Sequence, residues 1–193
     1  NIQSDNNVYP GKNLTLQLKY VNTPQLTVRI YKSLRQPENA WRNLYKNSKS
    51  MRGEQVKEIT FDMHLPNSYT EGDSTLTIPM DKLGLYEYVI TVPGKRLTVS
   101  NHFSVSRLAA LTRSQTNNSE VLVTDLESGK PIEGATVIYY KTNMMNGTIQ
   151  RQGEVKTDRL GIAILPAKKK VEHIRPVFRE DTSSIITNIY PYG

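Results

Sequence analysis

Apolar and polar side chains take alternate positions along most of this chain. Leu14, Leu16, Leu18 and Tyr20 alternate with Thr15, Gln17 and Lys19, and Leu26, Val28 and Ile30 alternate with Thr27, Arg29 and Tyr31. The same rhythm runs through Ile59, Phe61, Met63 and Leu65, then Leu76, Ile78 and Met80, then Tyr86, Tyr88, Ile90 and Val92. It closes with Leu97, Val99, Phe103 and Val105, where Asn101 breaks the apolar face. A period of two is the signature of strands with one face on a core and the other toward water, as in antiparallel sheets. Helical periodicity is nearly missing, so a fold of alternating strands and helices is excluded.

Turn signals divide the runs. Pro10-Gly11 precedes the first, Asn22-Thr23-Pro24 follows it, and Glu71-Gly72-Asp73-Ser74 and Pro93-Gly94-Lys95 read as hairpin turns. Asp81-Lys82-Leu83-Gly84 ends in a glycine suited to positive φ. In the second half the strands are expected near 109–113, 120–125, 135–141, 149–156, 161–165, 172–179 and 184–189. Met144-Met145-Asn146-Gly147 is read as a hairpin tip with Asn-Gly as a type I′ turn, and Arg179-Glu180-Asp181-Thr182 as another tip.

Residues 36–55 depart from the pattern. Trp41, Leu44 and Tyr45 stand at i, i+3 and i+4, the spacing of one or two helical turns laid over a sheet. The expectation is an inserted loop or short helix whose Trp41 plugs the end of a sandwich; the same loop is also a candidate binding loop.

An immunoglobulin-sized sandwich takes roughly 100 residues, so 193 residues suit two. The expected architecture is all-β: two tandem antiparallel β-sandwich domains at 1–106 and 107–193. The junction near Ser106-Arg107 has no Gly/Ser/Pro linker, so the modules are expected to abut. The chain opens on Asn1 without a signal-like segment, and is read as a piece of something longer whose leader or anchor lies elsewhere. No apolar run approaches the roughly 20 residues of a membrane span, so no membrane insertion is expected.

The net charge of +7 is divided evenly, with an excess of four basic residues in 1–106 and three in 107–193. Nucleic-acid binders concentrate such charge in one stripe, so no nucleic-acid partner is expected. The one basic run, Lys168-Lys169-Lys170, reads as a solvated turn. Cysteine is absent, which removes disulfides, thiolate metal sites and cysteine nucleophiles.

Candidate catalytic chemistry is thin. His64, His102 and His173 fall in three separate strands without metal-type spacing. There is no Gly-x-Ser-x-Gly elbow and no glycine-rich phosphate loop. The carboxylate pairs Asp125 with Glu127, Asp158 with Glu154, and Glu180 with Asp181 lie at turns, where acids satisfy local N–H groups. A calcium site of Asp125, Glu127 and Asp158 would need two loops to meet and lacks the Asp-x-Asp repeat. Tyr139, Tyr140, Tyr190 and Tyr192 are candidates for stacking on sugars, though tyrosine is also a good strand residue. The sequons at Asn13, Asn117 and Asn146 are no more than a polar chain shows by chance. No catalytic, cofactor or metal residue is expected, and the chain is read as not an enzyme.

The stretch from Tyr9-Pro10-Gly11-Lys12-Asn13-Leu14 to Tyr20-Val21-Asn22-Thr23-Pro24, ending in Arg29-Ile30-Tyr31, resembles a macroglobulin-type domain of bacterial alpha-2-macroglobulins. Leu83-Gly84-Leu85-Tyr86-Glu87-Tyr88 and Phe103-Ser104-Val105-Ser106 resemble that domain's late strands. Val123-Thr124-Asp125, Gly129-Lys130-Pro131, Gly134-Ala135 and Thr157-Asp158-Arg159-Leu160-Gly161-Ile162-Ala163 resemble the next module. Gly129–Ala135 also resembles carboxypeptidase-regulatory-like and transthyretin-like modules. The resemblance implies an immunoglobulin/fibronectin-like macroglobulin fold. It further implies a large extracytoplasmic envelope protein, in the periplasm or at the outer membrane, that traps proteases through a bait segment and a thioester. The thioester requires a cysteine, so that chemistry is not in this chain. The implied role is a non-catalytic structural segment of such an inhibitor. Its partners would be neighbouring domains of the same chain and, through the parent protein, proteases. The alternative is a ligand-binding or spacer module of an outer-membrane receptor or adhesin.

Overall fold

The computed structural model describes residues 2–4, 6–20, 23–40, 51–63, 72–96, 98–114, 118–167 and 170–189. The chain divides into two compact units. One comprises Asn1–Gln36 and Ala40–Val105; the other comprises Pro37–Asn39 and Ser106–Gly193. Among the described residues there is no α-helix; Pro37–Asn39 forms one turn of 3-10 helix.

The first unit has two sheets. In the smaller, β3 (Lys12–Tyr20) lies between β1 (Ile2–Ser4) and β6 (Gly72–Met80). In the larger the order is β2 (Asn7–Val8), β8 (Thr98–Val105), β7 (Gly84–Thr91), β4 (Gln25–Ser33) and β5 (Arg52–Asp62). All pairings are antiparallel except the short parallel contact of β2 with β8. The odd and even positions sort as the alternation requires. Leu14, Leu16 and Leu18 of β3 and Leu76, Ile78 and Met80 of β6 share one buried cluster with Val28, Ile30, Tyr88, Ile90 and Phe103 of the other sheet. Tyr86 stacks on Phe103 with ring centroids 5.5 Å apart. At roughly 25 cal/mol per Å2 of apolar surface, this shared face is the dominant stabilising term.

The second unit repeats the plan. β10 (Ser119–Asp125) lies between β9 (Leu108–Ser114) and β13 (Ile162–Leu165). The other sheet runs β12 (Ile149–Lys156), β11 (Thr136–Thr142), β14 (His173–Val177) and β15 (Thr187–Asn188). Its core joins Leu108, Val121, Val123, Ala163 and Leu165 to Val137, Tyr139 and Ile174. The expected strands are all present, the last reduced to two residues.

Four local expectations are corrected. Gly72, Asp73 and Ser74 do not turn; they open β6, and Gly72 pairs with Tyr20, whose ring lies 2.8 Å from where a Cβ would stand. Gly84 does not take positive φ; it begins β7 and leaves room for the ring of Tyr86, about 3.1 Å from the position of its absent Cβ. At the Met144 tip only Gly147 has positive φ (66°), so the turn is not type I′. The amide of Gly147 donates to Asn143 O at 2.8 Å, and Asn143 Oδ1 accepts from Met145 N, a wider loop closed by one left-handed glycine. Finally, β7 is buried on both faces: Leu85, Glu87 and Val89 are as enclosed as Tyr86 and Tyr88. A strand in the middle of the five-stranded sheet is therefore not half-wet. The strand β5 begins at Arg52, inside the 36–55 stretch; Trp41, Leu44 and Tyr45 lie outside the described residues.

Tyr139 and Gly153 pair directly across β11 and β12, beside the bulge at Tyr139/Tyr140. The ring carbon Cζ of Tyr139 lies 2.8 Å from where a Gly153 Cβ would be. Gly153→Ala is expected to displace this ring and lower the stability of the second unit by about 1–3 kcal/mol, the cost of overpacking a core. An unchanged thermal midpoint would contradict the placement of the ring.

Candidate functional site

The first unit encloses an ionic cluster on the face of the five-stranded sheet turned away from its core. Register places Tyr31, Glu87 and His102 side by side on β4, β7 and β8. Glu87 is 1% exposed. Its Oε1 accepts from Arg52 Nε at 3.0 Å, and the Arg52 guanidinium also lies over the Tyr31 ring at 5.5 Å. The second oxygen, Oε2, lies 3.4 Å from His102 Nε2, and neither of these two atoms makes a hydrogen bond. Burial is the largest influence on His102 and holds its pKa below 6.5; Arg35 and Arg52 act in the same sense, against the attraction of Glu87. His102 is therefore neutral at pH 7. A buried pair like Glu87–Arg52 contributes little net stability, but removing one partner strands a charge.

The second unit has a polar knot at Ser106, where its main segment begins. Ser106 Oγ donates to Asp181 Oδ1 at 2.8 Å, lies 2.8 Å from Ser184 Oγ, and accepts from Leu108 N at 3.1 Å. Asp181 Oδ2 accepts from Arg107 N at 2.7 Å. Ser106, Asp181 and Ser184 are all buried. The knot holds the two-residue hairpin Phe178–Asp181, in which Arg179 takes φ 53°, an uncommon backbone for a side chain of that size. Beside it is a cleft of 350 Å3 lined by Arg107, Asp125, Lys130, Phe178, Arg179 and Glu180 among others. The Ser106 hydroxyl is engaged both as donor, to Asp181, and as acceptor, from Leu108 N, and no imidazole lies at the knot among the described residues.

The remaining candidate residues are placed as follows. His173 uses both ring nitrogens: Nδ1 is 2.7 Å from Asn188 Oδ1 and Nε2 is 2.8 Å from Thr142 Oγ1. Both ring nitrogens are thus engaged with side chains of neighbouring strands. His64 lies outside the described residues. Asp125 Oδ1 accepts from Glu127 N and Ser128 N, and Asp158 Oδ1 from Leu160 N and Ile162 N, which makes both turn-builders. Glu154 pairs with Arg151 at 2.8 Å. Glu180 and Asp181 part company, the first 72% exposed and 3.7 Å from Arg107, the second buried. Among the described residues no three metal-ligating side chains converge. Tyr139 and Tyr140 are buried, and burial raises the pKa of Tyr140 while Arg175 opposes it. Tyr190, Tyr192, Asn117, Lys168 and Lys169 lie outside the described residues; Asn13 and Asn146 are exposed. Sequence reasoning passed over Glu87, Arg52, Ser106 and Ser184. Only the apolar Leu85 and Val89 on either side of Glu87, on the face of β7 opposite Tyr86 and Tyr88, hinted at the first cluster.

No protein-family profile matches the sequence, and no curated protein matches it. Solved structures do. A crystal structure of native Escherichia coli alpha-2-macroglobulin spanning domains NIE–MG1 superposes with TM-score 0.68 at 18% identity, over 98% of this chain and 98% of that one. One spanning MG0–NIE–MG1 gives TM-score 0.67 at 18% identity over 96% of this chain. A Salmonella alpha-2-macroglobulin gives TM-score 0.60 at 15% identity over 98% of this chain. The chain thus spans 62% of the three-domain E. coli structure and 12% of the Salmonella one. The fold is the one seen in these bacterial alpha-2-macroglobulin domains: tandem macroglobulin-type β-sandwiches.

Because His102 has a lowered pKa in the folded chain, the unfolded chain takes up the proton first as pH falls. The stability His102 contributes is complete above pH 6.5 and is lost as the pH drops below it. Denaturant unfolding of the first unit at pH 7.5 and pH 5 is expected to show that loss, and His102→Gln to reduce the difference. An unaltered difference would remove His102 as its source.

Proposed function

We propose that this chain is a non-catalytic structural segment of a bacterial alpha-2-macroglobulin-like protein of the cell envelope, a protease-trapping inhibitor. Its two modules, 1–106 and 107–193, correspond in order to NIE and MG1. The observation that carries this reading is the end-to-end match to the two-domain E. coli fragment, with 98% of each chain covered. The engaged state of Ser106, Asp181, Ser184 and His173 supports a scaffold, since each polar group is spent on holding strands and hairpins together. The parent's bait and thioester would lie in other domains, and the partners of this segment are its neighbours in the same chain. The test is a protease-capture assay. The 193 residues alone are expected neither to hydrolyse ester and peptide substrates nor to protect a protease, while the parent protein sequesters it. Hydrolysis by the isolated chain, or a folded parent that leaves protease untouched, would overturn the reading.

One observation favours a second reading, a ligand-binding module of a receptor or adhesin. Met144 and Met145, at the β11–β12 tip, are 87% and 98% exposed. On this reading Met144→Ser with Met145→Ser abolishes binding on a glycan array or in a protein pull-down, with stability unchanged within about 0.5 kcal/mol. On the inhibitor reading there is no such binding to lose.

A further inference from the structure

The outward face of the sheet β13-β10-β9 does not follow the rule of polar-out alternation. Its inward positions, Val121, Val123, Ala163 and Leu165, are buried in the core. On the outward positions, register sets Leu111, Leu122 and Ile162 in one row across all three strands. The adjoining row holds Arg113, Glu120 and Ile164. Leu111 is 65% exposed and Ile164 58% exposed. Leu126 continues the outward alternation of β10, and Leu160 sits on the turn leading into β13; both are exposed. Half of the large apolar side chains exposed among the described residues therefore gather at one small sheet.

The other sheet of the same unit shows what this chain does with such a face. On β11, Ile138 and Tyr140 also point away from the core, yet they are buried in a second cluster with Ile186, against which Ile149 and Val177 pack. Arg175 Nε donates to Tyr140 Oη at 3.3 Å, and Arg175 lies 3.8 Å from Glu38 of the 3-10 turn. That face is covered by the chain's own segments. The Leu111 face has no counterpart among the described residues.

We infer that the Leu111–Leu122–Ile162–Ile164 face is the docking surface for the apolar face of an adjoining β-sandwich domain of the same, longer chain. The inference rests on the reading of this chain as part of an alpha-2-macroglobulin-like protein. The matched folds continue beyond the region this chain covers, which supplies the occupant. Charge decides the partner's chemistry. Within the two rows the one cation, Arg113, pairs with Glu120 at 2.9 Å, so the rows themselves carry no net charge. An anionic bilayer or an acidic peptide calls for excess cations here; an apolar protein surface does not. Exposed apolar patches of this kind mark contact surfaces.

These 193 residues hold no cysteine, and reading each labelled peptide by mass separates an introduced cysteine from any elsewhere in the longer chain. Ile164→Cys, and separately Leu111→Cys on a different strand, are introduced into the full-length protein, with Met145→Cys as an exposed reference. Maleimide labelling is read at each position by peptide mass spectrometry. In the full-length chain Cys at 164 and 111 is expected to label at least about tenfold more slowly than at 145, as protection by a docked domain requires. In the 193-residue chain all three are expected to label alike. Equal labelling at all positions in the full-length chain overturns the inference. Protection already present in the 193-residue chain, growing with its concentration, also overturns it, since the occupant is then a second copy. Protection in a full-length chain that captures no protease upholds the docking face and sinks the inhibitor reading alone.

Discussion

Everything in this protein depends on apposing two sheets so that every second side chain is removed from water. The chain has no α-helix among its described residues and no cysteine to staple loops, so these shared faces carry the stability of each unit. A slip of one residue in β3 would exchange Leu14, Leu16 and Leu18 for Asn13, Thr15 and Gln17 and empty the core. Register is consequently specified strand by strand. Aromatic pairs such as Tyr86 on Phe103 reinforce it with contacts that only one pairing provides.

Within that frame the buried polar groups act as fasteners. Glu87 and Asp181 are the two carboxylates enclosed by the described structure, and each is met by donors from distant parts of its own unit. Arg52 reaches Glu87 from β5, and Ser106 reaches Asp181 from the start of the second unit. Such contacts add little net free energy, because desolvation offsets attraction. Their effect is on specificity: misplacing either segment leaves a bare charge inside. The Arg179 backbone, held at positive φ beside Asp181, is tolerable because the knot around Asp181 determines where the hairpin must close.

The same logic separates the two outer faces of the second unit. Where the chain has its own cover, apolar residues on an outward strand position become a small core, as with Ile138, Tyr140 and Ile186. Where none lies among the described residues, as at Leu111 and Ile164, the same alternation leaves apolar groups exposed.

Strand alternation, turn residues such as Gly11, Gly94 and Gly161, and the all-β class were set by local chemistry and are readable in the linear order of residues. Gly161 illustrates why: its φ of 75° favours glycine on local grounds, before the approach of Val123 O within 2.7 Å of its Cβ position adds a tertiary one. Other glycines looked the same in sequence and were not. Gly72, Gly84 and Gly153 serve tyrosine rings, two of them on a paired strand, a requirement visible only once strands are in register. The candidate sites divide in the same way. Asp125 and Asp158 satisfy amides within four residues, so their role was legible. Glu87 with His102, and Ser106 with Asp181, are joined across 15 and 75 residues, and long-range pairing leaves no periodic trace. Sequence alone determined which side chains must leave water; tertiary structure decided which polar groups go with them and which apolar face is left uncovered, because those outcomes depend on what each sheet face meets.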